Sequence, residues 1–357
     1  MDVHAFCKFC STGGNAMNRF VCACIIVVAV VVAMPSWAKA FTFPDPTTNA
    51  MLYGDFYSYS LPILAFQYDQ EFGGGVGPGN PYYVQSTAGH IKDSIVIATG
   101  STGTGVNTNF PGMDNAYPTP NSSGVSTFST GTTPDPGFTP TMPANQADTW
   151  DSTIEAFMGQ MGGQSPAFFF NNNQERVEQD LWAYGQVKVW SSTGGATAEY
   201  FDLASPNGDG TGIFGGDPAT YVSPTYSDAS WEPTPFEDYI ISGGDVCLNA
   251  SGIPVPCGSP DAVEGPFPHN LGENEAAYAV FSPELNAMLA AWNGDSPYDM
   301  ISMDFRMHSL NSGYEQAFVM PAEFLSQPVP EPSSVLLMGL GFTGLVLVSM
   351  RRRFRRD

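Results

Sequence analysis

Three aromatic residues, Trp182, Tyr184 and Trp190, occupy positions of the same parity in the stretch DLWAYGQVKVW, which covers residues 180–190. Alternate residues of a strand point to the same side of its sheet, so these rings are predicted to share a face with Lys188. Aromatic side chains on a rigid strand offer flat surfaces on which sugar rings stack. The opposite positions are also apolar, which is equally typical of a strand buried on both faces. The pattern therefore predicts either a polysaccharide-binding platform or a core strand.

Paired carboxylates suggest a different chemistry. The chain has 35 acidic residues, so some carboxyl groups must lie close together. Glycoside hydrolysis requires two of them about 5 to 10 Å apart across a cleft. Glu175, Glu178 and Asp304 are candidates by their position near or within predicted strands. A secreted hydrolase acting on polysaccharide is therefore the alternative to a binding protein.

A glycine-rich stretch, SPNGDGTGIFGGD at residues 205–217, carries oxygen ligands at alternate positions in Asn207, Asp209 and Thr211. This resembles half of a calcium-binding loop, although the bidentate glutamate that ends an EF-hand loop is missing. Asn-Gly and Asp-Gly turns explain the same pattern without a metal. Calcium is the one cofactor that the sequence suggests.

The sequence has no motif typical of nucleophilic catalysis, of a zinc hydrolase or of dinucleotide binding. After residue 40 the chain has only three histidines, His90, His269 and His308, and neither G-x-S-x-G nor H-E-x-x-H occurs. The stretch IVIATGSTGTG lacks the glycine order of a dinucleotide loop. No catalytic residue is assigned from the sequence.

Two cysteines, Cys247 and Cys257, flank the turn-rich segment LNASGIPVP, whereas the other four all precede residue 25. In an oxidising compartment the two are expected to form a disulfide. Closing a loop of about ten residues stabilises a fold by roughly 2.7 kcal/mol on the chain-entropy model. A metal pair is a weaker alternative, because two thiolates without a histidine fall short of a zinc site.

Charge is distributed very unevenly. Between residues 41 and 332 the chain has nearly all of its acidic residues but only four basic ones, Lys92, Arg176, Lys188 and Arg306. Nucleic acid is therefore not predicted as a partner, because phosphate binding requires clustered Lys and Arg. A surface of this kind keeps an exported protein soluble and attracts divalent cations.

Strand patterns dominate this region. Buried strands are predicted at 93–100 and 165–173. Residues 180–190 and 196–203 read as one hairpin, and residues 298–310 and 314–320 as a second one with NSG as its turn.

Two helices are predicted among the strands, over 148–161 with Asp148 or Asp151 as the N-cap and over 282–294 with Ser282 as the N-cap. Residues 99–146 are rich in Gly, Ser, Thr, Asn and Pro and read as turns and loops. The predicted fold is mainly β, an antiparallel β-sandwich or jelly-roll body over 41–328 with one or two short helices. The number of domains in this body stays open.

Residues 1–40 have the pattern of a secretory signal peptide. A basic Arg19 precedes an apolar core, and the small residues Ala38 and Ala40 mark a cleavage site. The first sixteen residues are unlike a signal start, so Met17 is the expected initiator. An uncleaved signal anchor is the alternative.

The segment 329–357 has three parts: Val329, Pro330, Glu331 and Pro332; then 18 residues without a charge; then a basic tail containing Arg351, Arg352, Arg353, Arg355 and Arg356. Residues 333–350 reach about 27 Å as a helix, which suits a single transmembrane span. The arginines would stop transfer and stay in the cytoplasm. The body would then lie outside the inner membrane.

This tripartite tail resembles the PEP-CTERM sorting signal of exported proteins in Gram-negative bacteria that make extracellular polysaccharide. The resemblance implies recognition by an exosortase, a membrane-embedded transpeptidase, with cleavage at or near residues 329–332. An unprocessed membrane anchor is the alternative. We therefore predict a cell-surface or extracellular-matrix protein that is structural or binds a ligand, with exopolysaccharide and calcium as candidate partners.

Overall fold

A computed structural model gives the arrangement of most of the chain between Phe41 and Phe324. The described residues are 41–100, 105–120, 126–138, 142–174, 181–217, 238–242, 244–312 and 315–324. The predicted signal peptide, sorting tail and transmembrane segment lie outside these residues, as do Glu175 and Glu178.

Strands account for most of the regular structure in the described residues. Helices α1 to α5 span Pro46–Asn49, Leu61–Phe72, Ala88–Ile91, Ile154–Met161 and Pro283–Ala291. Strands β1 to β9 span Phe41–Phe43, Met51–Tyr53, Phe56–Ser60, Ile95–Thr99, Tyr117–Pro118, Ser126–Ser129, Trp150–Thr153, Ser165–Asn172 and Leu181–Trp190. Strands β10 to β18 span Glu199–Leu203, Ile213–Phe214, Ile240–Ser242, Asp245–Leu248, Pro254–Pro256, Glu264–Pro268, Gly272–Phe281, Met300–Leu310 and Ala317–Phe324. The prediction of a mainly β fold is confirmed.

The strands of the described residues form three sheets. The largest has nine strands in the order β11-β2-β3-β16-β8-β18-β4-β5, with β1 beside β18. A six-stranded sheet has the order β10-β9-β17-β6, with β12 beside β9 and β7 beside β17, and a small sheet has the order β14-β13-β15. Pairing is antiparallel except between β1 and β18 and between β4 and β5.

The two large sheets share one hydrophobic core. Buried side chains from both sheets meet there, and the half-buried Phe170 on β8 packs against them, with its ring 5.4 Å from that of Phe305 on β17. The opposite face of the nine-stranded sheet packs against α2, with Phe169 and Leu64 in a second cluster. The largest sheet is therefore covered on both faces, which explains why β4 is buried at all five positions.

One predicted hairpin is confirmed and the other is wrong. Strands β9 and β10 pair antiparallel, with Glu199 opposite Val189 and Leu203 opposite Gly185. Strands β17 and β18 do not pair: β17 lies between β9 and the strands β6 and β7, whereas β18 lies between β8 and β4. The chain crosses from one large sheet to the other here, because both edges of each strand are occupied by other partners.

The helices also differ in part from the prediction. Residues 150–153 form β7 rather than the start of a helix, and the N-cap of α4 is Thr153, whose hydroxyl accepts a bond from the backbone N–H of Ala156. Ser282 caps α5 as predicted. The sequence analysis missed α2, the longest helix in the described part of the chain, which is capped by Ser60 and ends at Gly73. Within the described residues no helix has the length and apolar character needed to cross a membrane.

Candidate ligand-binding face

The pairing of β9 with β17 brings together several residues that the sequence analysis selected. His308 lies opposite Trp182, and Asp304 lies opposite Gln186. Directly opposite residues of an antiparallel pair project to the same side of the sheet. The aromatic stripe of β9 and the polar side chains of β17 therefore share one surface. We call it the outer face, because the other side of these strands meets the shared core.

The central ring of the predicted row is buried. Tyr184 is only 2% exposed, and its hydroxyl donates to Oδ1 of Asp202 at 3.2 Å. Trp182 packs against a small buried cluster that includes Tyr184 and Tyr239. Burial of Tyr184 interrupts the row, so Trp182, Tyr184 and Trp190 do not form a continuous platform.

A different pair of rings lies near a cation at one end of the outer face. The ammonium of Lys188 lies 5.4 Å from the ring centroid of Trp190 and 5.8 Å from that of Tyr200. Tyr200 lies opposite Lys188 and is 42% exposed. The indole N–H of Trp190 donates to Oγ of Ser302 at 2.7 Å, which fixes the orientation of this half-buried ring. Tyr200 was missed, although its alternation with the buried Phe201 indicates an outward side chain.

A polar row crosses the outer face next to these rings. Asp202 and Asp304 lie opposite Gln186 on its two sides, and the Gln186 amide donates to Oδ1 of Asp202 at 2.7 Å. Arg306 binds both carboxylate oxygens of Asp304, with its Nε 2.9 Å from each, and Thr130 donates to Oδ1 at 3.0 Å. Asp304 is therefore held in an ion pair with Arg306.

Other close carboxyl groups lie inside the fold. Asp114 and Asp151 are both fully buried, and Oδ2 of Asp114 accepts a bond from the backbone N–H of Asp151 at 2.7 Å. Burial raises the pKa of Asp114 to about 8 and that of Asp151 to about 6. This pair ties two chain segments together and does not face a cleft.

A buried contact between a serine and a histidine also ties two chain segments together. Oγ of Ser60 lies 2.6 Å from Nε2 of His269, and Nδ1 of His269 lies 3.0 Å from the carbonyl oxygen of Phe267. His269 is 1% exposed, and burial lowers its pKa to about 4. The contact holds the start of α2 against the segment after β15, out of reach of a substrate in solvent.

The predicted calcium loop forms a local turn. Oδ1 of Asp209 accepts bonds from the backbone N–H and the hydroxyl of Thr211, at 2.9 and 2.6 Å. The pKa of Asp209 is lowered by these two bonds. Among the described residues no group of three or more His, Cys, Asp or Glu side chains is placed to hold a metal. Calcium at Asn207, Asp209 and Thr211 stays a prediction.

Cys247 and Cys257 are joined by a disulfide, with their Cα atoms 4.8 Å apart. Cys247 lies in β13, and Cys257 directly follows β14. The bond closes the hairpin that these two strands form in the small sheet.

These features define a class: a β-rich exported protein that carries a sorting signal. Residues 328–353 match the model of the PEP-CTERM protein-sorting motif, which confirms the predicted resemblance. The motif implies export, membrane-anchored sorting, processing by an exosortase and display at the cell surface.

The body itself belongs to a defined family. Residues 41–306 match the model described as "Domain of unknown function (DUF8239)", and the chain is a member of that family. No curated protein and no solved structure matches the chain.

Proposed function

We propose that this protein is a surface or matrix component that binds neutral polysaccharide through the outer face of the six-stranded sheet. The observation that carries the proposal is the grouping of Trp190 and Tyr200 around Lys188, whose ammonium lies 5.4 and 5.8 Å from the two ring centroids. Two ring faces can stack on the C–H faces of consecutive sugars, and the ammonium can donate hydrogen bonds to their hydroxyl groups. The strongly acidic body disfavours anionic chains.

The export route belongs to the same proposal. Residues 1–40 act as a signal peptide that is cleaved after Ala40, and residues 333–350 span the inner membrane of a Gram-negative bacterium before exosortase cuts at residues 329–332. The body, 41–328, folds outside as a β-sandwich of the jelly-roll kind. The core shared by the two large sheets supports that architecture.

Hydrolysis is the second candidate, since Asp202 and Asp304 flank Gln186 on one face. Two strand spacings place their backbones about 10 Å apart, and inverting glycosidases hold their two carboxyl groups about 6.5 to 9.5 Å apart. Asp202, however, is fully buried, and Asp304 is bound by Arg306. A general acid or base needs access to the glycosidic bond, so these contacts favour binding.

The test is affinity electrophoresis of the full-length protein in non-ionic detergent, in gels containing hydroxyethyl cellulose or alginate. Trp190→Ala and Tyr200→Ala should each weaken retardation by hydroxyethyl cellulose about tenfold, because a stacking face is lost. Phe72→Ala, which removes a ring that is 64% exposed on α2, is the control and should leave retardation unchanged. Equal retardation of all variants would overturn the proposed site, and release of reducing sugars that is lost in Asp304→Asn would favour hydrolysis.

A further inference from the structure

A separate cavity of about 440 Å³ lies between α2, the loop after α2 and the segment that joins β15 to β16. Small-molecule sites in proteins have volumes of about 300 to 1,000 Å³ and are mostly apolar with a few polar groups. This cavity has that composition: its only charged lining residue is Glu275. It shares no lining residue with the outer face.

Three aromatic rings contribute to the cavity wall. The rings of Phe66 on α2 and Phe267 on β15 lie 5.0 Å apart with their planes inclined at 59°, and Tyr83 supplies the third. Phe267 is 8% exposed and packs in a small core with Ile63, so its ring is held in place. Rings this close are in contact with each other, so a ligand would meet the parts of them that line the cavity rather than enter between them.

Glu275 on β16 places a carboxyl group in the same cavity wall as these rings. It is half-buried, and burial raises its pKa. None of the residues that line the cavity is Lys, Arg or His. A partly desolvated carboxylate beside aromatic faces creates a negative potential that favours a cation.

The wall opposite α2 is held in a defined position before any ligand binds. The Asn80 side chain, which is 6% exposed, donates from Nδ2 to the carbonyl oxygens of Ala65 at 2.9 Å and Gly75 at 3.0 Å. Oδ1 of Asp69 accepts a bond from the backbone N–H of Gly75 at 2.6 Å. The loop places Val76, 51% exposed, at the cavity wall. A preformed site reduces the ordering cost of binding.

We propose that this cavity binds a small organic cation with a methylated ammonium group, which lies against the rings of Phe66, Phe267 and Tyr83 with Glu275 as its counter-charge. Aromatic faces attract such a group electrostatically, and the attraction grows when water is excluded. The cavity would give the protein a small-molecule ligand that is independent of polysaccharide.

The experiment compares choline with its neutral analogue 3,3-dimethyl-1-butanol by isothermal titration calorimetry. The full-length protein is kept in a maltoside detergent, whose head group has no ammonium. We expect choline to bind at least tenfold more tightly than the neutral analogue. Glu275→Gln should remove most of this difference, and Phe66→Leu should weaken choline more than the analogue.

Glu155→Gln is the charge-matched control, because Glu155 is exposed on α4 and away from the cavity wall. It should bind choline as the wild type does. Unchanged binding of the neutral analogue shows that Glu275→Gln is folded. The proposal is overturned if the wild type does not bind choline, if both probes bind equally, or if Glu275→Gln binds choline like the wild type.

Discussion

Buried acids are the most unusual single residues of this fold. Asp114 is fully buried, and its Oδ1 has no hydrogen-bond partner among the described residues. Desolvation, and secondarily the charge of Asp151, raises its pKa from 3.8 to about 8. Glu315 is 1% exposed, and burial raises its pKa to about 7. Both groups bind a proton more tightly in the folded chain than in the unfolded chain.

This makes stability depend on pH in a defined direction. The contribution of Asp114 is complete below the pKa of the unfolded state, 3.8, and is lost as pH rises to about 8. The free energy of unfolding should therefore still fall between about pH 6.5 and 8 and level off above pH 8. His269 contributes little above about pH 7, because it is then neutral in both the unfolded state, where its pKa is 6.5, and the folded state, where burial lowers its pKa to about 4. It destabilises the fold only at lower pH, where the unfolded state binds a proton that the folded state does not.

Asp114→Asn should flatten this dependence and be more stable than the wild type at pH 8.5, because the amide imitates the protonated acid and its oxygen can accept from Asp151. Urea unfolding at a series of pH values measures the effect. Asp93→Asn, at an exposed acid, should keep the wild-type slope. Parallel curves for the wild type and Asp114→Asn would contradict the assignment.

The sequence predicted which residues lie on the outer face, but it did not predict how exposed each of them is. The period of two in residues 180–190 predicted which side chains share a face, and the burial of Leu181, Ala183, Val187 and Val189 agrees with it. It could not show that Tyr184 is covered, because covering depends on distant segments such as the one that carries Tyr239. Tyr200 was not predicted, because its place beside Lys188 depends on the register between β10 and β9.

At the scale of elements, the tight turn between β2 and β3 in the nine-stranded sheet packs against β10 in the six-stranded sheet. Gly54, between β2 and β3, has φ of +62°, and a Cβ there would lie 2.2 Å from the carbonyl oxygen of Asp202 on β10. The neighbouring Asp55 donates its backbone N–H to that oxygen at 2.8 Å, and its Oδ2 accepts from the backbone N–H of Asp202 at 2.7 Å. The turn therefore requires glycine both for its conformation and for space.

Gly54→Ala should be much more destabilising than a matched change in an open turn. Gly163 also has positive φ, +81°, but nothing lies within 4 Å of its Cβ position, so Gly163→Ala incurs about 1 kcal/mol of backbone strain. Gly54→Ala adds a clash with backbone, and we expect a loss of unfolding free energy about 2 kcal/mol larger. Guanidinium titration of both variants measures the difference, and equal losses would show that the close approach is unimportant.

The elements that the sequence predicted well are those set by local signals. The β9–β10 hairpin follows from alternation around a Gly-rich turn, and α5 follows from Ser282 and Pro283. The pairing of β17 and β18 was predicted from a turn motif alone. Their true partners are far away in the chain, so local residues could not reveal them. Helix α2 did carry signals, in Ser60, Pro62 and Gly73, but its apolar first half resembles a strand.

At the scale of the whole molecule, the sorting tail gives the most direct prediction. Exosortase processing should remove the apolar and basic parts of the tail, so intact-mass spectrometry of the exported protein should find no residues 333–357. Glu331→Ala should retain them, because it changes the sorting motif.

Glu323→Ala, at an exposed acid of β18 upstream of the motif, should be processed normally. An exported wild type that still ends in RRRFRRD would contradict processing. The membrane-anchored protein would then be the final form, and the polysaccharide-binding proposal would be unaffected.

The parallel pairing of β1 with β18 has a consequence for biogenesis. Phe41 lies beside Ala322, so the first and last strands among the described residues meet at one place. Of these strands, β1 is synthesised first and β18 last. Strands β8 and β4 also cannot complete their pairing until β18 lies between them. Such distant pairings form slowly. The nascent body therefore cannot close its largest sheet until almost all of it has been synthesised.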